Sequence, residues 1–162
     1  MKTNKLISAF LLVLFWALLY YSYYVLPNNV AIHFSNDGSP NRWMNKSSYL
    51  ILFGFGATFL TIVITGMFYL VRYFPKEFIS IPYSGYWLAP ERFEKTMSDL
   101  MNYGIWLGNI LLFMFIIGGL IILNAHSHFI TYTIPIKYLN ILMFLPLALF
   151  IVKLMTRFMI KG

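Results

Sequence analysis

Cysteine is absent from the 162-residue chain, which excludes disulfides, thiolate chemistry and any metal site built on sulfur. Charge is scarce too. Asp, Glu, Lys and Arg make up 10% of the residues, against roughly a quarter in an ordinary soluble domain. So few polar groups cannot cover the surface of a water-soluble fold, and the missing solvent is lipid. No Asp, Glu, Lys or Arg falls deep inside a long apolar run. That argues against an ion-coupled transporter or proton pump, which needs ionisable groups within the membrane. Paired intramembrane carboxylates, a nucleophile elbow, a phosphate-binding glycine loop and a complete metal signature are also missing. The chain therefore reads as non-enzymatic and without a cofactor.

Apolar sequence is abundant: 60% of the residues are hydrophobic and 20% aromatic. Four runs stand out, Leu6 to Tyr24, Tyr49 to Val71, about Gly104 to Leu123 and about Ile136 to Val152. Each approaches the roughly 20 residues that a helix needs to cross a hydrocarbon core about 30 Å thick, and in lipid their backbones must be helical. The first run, although preceded by Lys2 and Lys5, is longer than a signal-peptide core and no small-x-small cleavage site follows it, so it reads as a retained anchor. The fourth is the shortest, with Lys153 and Arg157 expected to snorkel toward headgroups. Pro146 should kink it or open its backbone locally.

The net charge of +7 does not imply nucleic acid, because the basic residues sort by side. Lys2, Lys5, Arg72, Lys76, Arg92, Lys95, Lys153, Arg157 and Lys161 lie on one side of the four runs, and Arg42, Lys46 and Lys137 on the other. This bias predicts cytoplasmic termini. The expected fold is an all-α membrane protein, a single domain over 1–162, with four transmembrane helices, both termini cytoplasmic and a small extracellular β-cap. Its location is then the cytoplasmic membrane, as a multi-pass protein.

Within the outer loops, Val30 to Phe34 has strand composition and runs into Asp37-Gly38, which supplies a tight turn. His128 to Ile134 is a second β-branched and aromatic run. The cap is expected to pair these two segments, with Ser47 or Ser48 capping the second helix. Inside, Pro90 suits a first helical position, so the third helix should start there and project from the membrane. Glu91–Lys95 and Lys95–Asp99 are i,i+4 pairs on that projection.

Two stretches resemble a known family. Leu26 to Lys46 reads Leu-Pro, an apolar run, His33-Phe34, a turn with Gly38, then Trp43 and Lys46. Together with Tyr86 to Phe93, "YWLAPERF", it resembles a bacterial membrane domain of unknown function that forms the N-terminal part of SdpI-type immunity proteins. The resemblance implies a bacterial envelope protein and a protective or sensing role toward a secreted peptide. It carries no catalytic residue.

Candidate sites follow from the outer loop. His33, Asp37, Arg42 and Trp43 form a possible recognition surface for an extracellular peptide, while Asp37-Gly38 and Pro40 are explained by turn chemistry and Trp43 by interfacial anchoring. His126 and His128 would share one strand face, and with His33 could converge on Zn²⁺, the alternative being imidazoles bonded to backbone or water. Asn109 is a polar residue inside a span, expected to bond between helices. Gly104 and Gly108 form a GxxxG pattern that suits a homodimer or close packing within one bundle. The leading functional expectation is engagement of an extracellular peptide or envelope ligand. The alternatives are a membrane protein partner, as a subunit of a transport or export assembly, and an outward-facing metal-dependent membrane enzyme.

Overall fold

A computed structural model of the chain describes residues 2–35, 39–127 and 136–159. Helix α1 (Lys2–Val25) leads into the hairpin β1 (Asn29–Phe34) and β2 (Pro40–Asn45), and α2 (Lys46–Leu70) follows directly. Two 3₁₀ turns, Val71–Tyr73 and Lys76–Phe78, and the short α3 (Ser84–Trp87) connect to α4 (Pro90–Ser127), and α5 (Ile136–Met159) completes the described chain. Four of these helices are long and apolar enough to cross a bilayer.

Helix α4 organises the rest. Its 38 residues span roughly 57 Å at 1.5 Å per residue, well beyond a hydrocarbon core of about 30 Å. It starts at Pro90, as expected of a residue with no N–H to lose in the first turn. Helices α1 and α2 pack on it and on each other, and α5 packs on it as well. Lipid tails are as apolar as leucine, so helix association rests on close contact and hydrogen bonds. Small residues supply the contact. Gly104 of α4 lies against Phe68 of α2, Gly108 against Thr65 and Thr61, and Gly119 against Leu18 of α1. The glycines expected to suit a homodimer thus face α2 of the same chain.

Three buried clusters stack along the bundle. Phe15, Leu19, Ala57, Leu112 and Ile116 fill the middle. Leu26, Val30, Tyr49, Ile122 and Leu123 lie under the hairpin. At the opposite end Ile79, Trp87, Leu88, Met97, Leu100 and Phe158 join the connecting segment to α4 and α5. That end gathers Lys5, Arg72, Lys76, Arg92, Lys95, Lys153 and Arg157, and is called the basic end below. Arg157 does not reach for headgroups. Its guanidinium pairs with Asp99 at 2.8 Å and lies 4.3 Å from the Trp87 ring, while Trp87 Nε1 donates to the Phe158 carbonyl at 3.1 Å.

Several local expectations change. The partner of β1 among the described residues is β2; the segment 128–134, expected to pair with β1, lies outside the described residues. Pairing adjacent segments closes a much shorter loop than pairing segments about 100 residues apart. The second helix is capped by Asn45, whose Oδ1 accepts from the Ser47 N–H at 2.9 Å, so the cap sits two residues ahead of Ser47. On α4 the carboxylates meet arginines in place of Lys95: Glu91 pairs with Arg92 at 2.8 Å, Glu94 with Arg72 at 3.2 Å and Asp99 with Arg157. Helix α5 continues through Pro146 as one element.

Candidate functional site

The hairpin pairs Val30 with Met44, Ala31 with Trp43 and His33 with Arg42, and the register slips on either side of His33. These slips set an unpaired residue in each strand, Ile32 and Asn41, and bring His33 Nδ1 against Asn41 Oδ1. Asn41 Nδ2 then donates to Ser35 Oγ at 3.0 Å, and the Ser35 N–H donates to the Ser39 carbonyl at 2.8 Å, closing the loop. Asp37 falls among residues 36–38, outside the described residues.

One side of the hairpin is fixed to the bundle at two points. His126, in the last turn of α4, accepts the Ala31 N–H on Nε2 at 3.0 Å, and its Nδ1 lies 2.9 Å from the Ile122 carbonyl. An imidazole that accepts on Nε2 must carry its proton on Nδ1, so both contacts are satisfied by one neutral tautomer. The Trp43 ring stands edge-on to the same imidazole, with centroids 6.1 Å apart. At the other end Lys46 Nζ donates to the carbonyls of Tyr23 and Leu26 at 3.2 and 3.1 Å. These are carbonyls that the end of α1 would otherwise leave without a partner.

His126 is therefore helical, not part of a strand with His128, and both its ring nitrogens are in use. His128 lies outside the described residues. Among the described residues no three His, Cys, Asp or Glu side chains come together as a metal cluster.

The free face of the hairpin belongs to β2. All of its residues but Met44 are exposed. Arg42 has no hydrogen-bond or ion-pair partner among the described residues, and Trp43 is 53% exposed. Beneath the hairpin a groove of about 550 Å³ runs between α2 and α4, lined by Ile32, Met44, Leu52, Phe53, Phe115 and Ile122. Tyr49 also borders it, and its buried hydroxyl finds no partner among the described residues.

A polar seam joins α1 to α4 in the half of the bundle toward the basic end. Asn4 Nδ2 donates to Asn102 Oδ1. Ser8 Oγ donates to Asn109 Oδ1 at 2.7 Å, and Asn109 Nδ2 donates to the Asn4 carbonyl at 3.3 Å. Asn109 bonds between helices as its sequence context implied. Its partners were not anticipated, although Asn4 and Ser8 at i,i+4 and Asn102 and Asn109 at i,i+7 each mark one helical face.

The class of protein is now defined: an integral membrane protein with four spanning helices and a two-stranded hairpin at one end of the bundle. Residues 10–57 match the family model described as Domain of unknown function (DUF1648). The match begins within α1, takes in the whole hairpin and ends midway along α2. Neither the curated proteins nor the solved structures contain a match to the chain.

Proposed function

We propose that this is a non-enzymatic protein of the bacterial cytoplasmic membrane that engages an extracellular peptide through the free face of its hairpin. The positive-inside bias assigns the basic end to the cytoplasm and the hairpin to the outside. The observation that carries the reading is an Arg42 with no partner among the described residues beside a half-exposed Trp43, on a strand held in place by His126 and Lys46. Arginine and tryptophan dominate binding hot spots. A platform already fixed to its scaffold loses little conformational freedom when a ligand arrives. His33, tied to Asn41, borders the same face, and the apolar groove under the hairpin suits an apolar side chain of the same peptide. The resemblance to the N-terminal domain of SdpI-type immunity proteins supports a protective role.

The test compares cells carrying the wild-type protein, Arg42→Ala or Trp43→Ala. They are challenged with the peptide fraction secreted by the source organism, with membrane levels measured by quantitative blotting. Loss of protection at equal membrane levels is expected from both substitutions. Survival equal to wild type in both variants sinks the proposal.

A further inference from the structure

Toward the basic end α1 and α2 part, and a cleft of about 430 Å³ opens between them with α4 as its floor. Its lining includes Lys5, Ser8, Thr61, Thr65, Gly66 and Tyr69. Two of the hydroxyls are committed to the bundle: Ser8 bonds Asn109, and Thr61 donates to the Ala57 carbonyl at 2.8 Å. The wall left for an occupant is mostly hydrocarbon. Lys5 is different. It is exposed, and its ammonium has no hydrogen-bond or ion-pair partner among the described residues. Glu91, Glu94 and Asp99 are each engaged by an arginine, so none of them neutralises it.

We propose that this cleft binds one anionic phospholipid from the leaflet at the basic end, its phosphate against Lys5 and one acyl chain along the cleft. Charge complementarity selects the headgroup, since a basic pocket between transmembrane helices attracts anionic lipid. Packing selects the tail. An open apolar groove within the bilayer loses dispersion contacts along its whole wall unless a chain fills it. The volume lies in the range of about 300–1,000 Å³ usual for small-molecule sites. Tyr69, whose hydroxyl lies 3.4 Å from that of Tyr73, places a further hydrogen-bonding group in the lining.

The experiment is native mass spectrometry of the full chain in mild detergent doped with equal amounts of phosphatidylglycerol and phosphatidylcholine of identical acyl chains. Wild type is expected to retain one phosphatidylglycerol per chain in preference to phosphatidylcholine. Lys5→Gln should lower that preference about five-fold, the effect of one surface cation. Gly66→Trp fills the cleft and should abolish retention of either lipid; a Cβ at Gly66 meets no heavy atom within 4 Å, so the backbone tolerates it. Gly56→Trp is equally open but borders the groove under the hairpin, and should retain the lipid. Melting curves establish that each variant is folded, and Gly66→Leu replaces Gly66→Trp should the latter not fold. An unchanged lipid preference in Lys5→Gln overturns the proposal. So does retention by a folded cleft-filling variant, or equal loss in Gly56→Trp.

Discussion

Replacing His126 with Ala tests whether α4 holds the hairpin. The Ala31 N–H is buried, with its residue 1% exposed, and points at His126 Nε2. Truncating the ring leaves that donor without a partner in a water-poor setting, at a cost of about 1–3 kcal/mol. The edge-on contact with Trp43 is lost with it, worth about 0.5–1.5 kcal/mol. The hairpin should then open locally, about 2–3 kcal/mol more easily, while the spanning helices persist. Amide hydrogen exchange in detergent or nanodiscs reads this directly. Ala31 should exchange roughly 30- to 150-fold faster than in wild type, at about 1.4 kcal/mol per factor of ten, and the amides of the central helices should be unchanged. His126→Gln, which keeps an acceptor, should recover part of the protection. Unaltered exchange at Ala31 in His126→Ala would refute the reasoning.

Gly104→Leu should destabilise the bundle by about 1–3 kcal/mol through overpacking, because its Cβ would collide with Phe68; Gly56→Ala, facing open space, should leave the detergent melting curve unchanged. A double-mutant cycle of Arg157→Leu and Asp99→Asn should give a coupling of about 1 kcal/mol in chemical denaturation, the scale of a partly exposed ion pair. A coupling of zero would make that pair incidental. Asn109→Leu should cost about 0.6 kcal/mol, the average of interhelical hydrogen bonds in membranes. The readout is the SDS-unfolding midpoint, and a loss of several kcal/mol would mean the seam does more than join α1 to α4.

Composition and local pattern sufficed for the spans, because only a long apolar helix satisfies its own backbone in lipid. The start of α4 at Pro90 was equally legible, since the residue's missing N–H is harmless only there. So was the interhelical bonding of Asn109, whose amide has no water to turn to. The second strand was not legible. Pro40 to Asn45 has no β-branched residue, and it becomes a strand because the chain returns alongside β1 within a few residues. The segment 128–134, whose composition reads far more strongly as strand, lies outside the described residues.

The tertiary structure alone decided what the candidate residues touch. His126 looked like one of a pair with His128 until the last turn of α4 carried it to the Ala31 amide. Gly104 and Gly108 could face a second copy or a neighbouring helix, and Phe68 and Thr65 of α2 occupy that space. Arg157 had the spacing of a lipid-facing cation, yet Asp99, 58 residues away, holds it beside Trp87. A sequence fixes which groups need partners, through burial and hydrogen-bonding capacity. Which partner each one meets depends on how the helices rotate and cross, and that is set by packing between segments far apart in the chain.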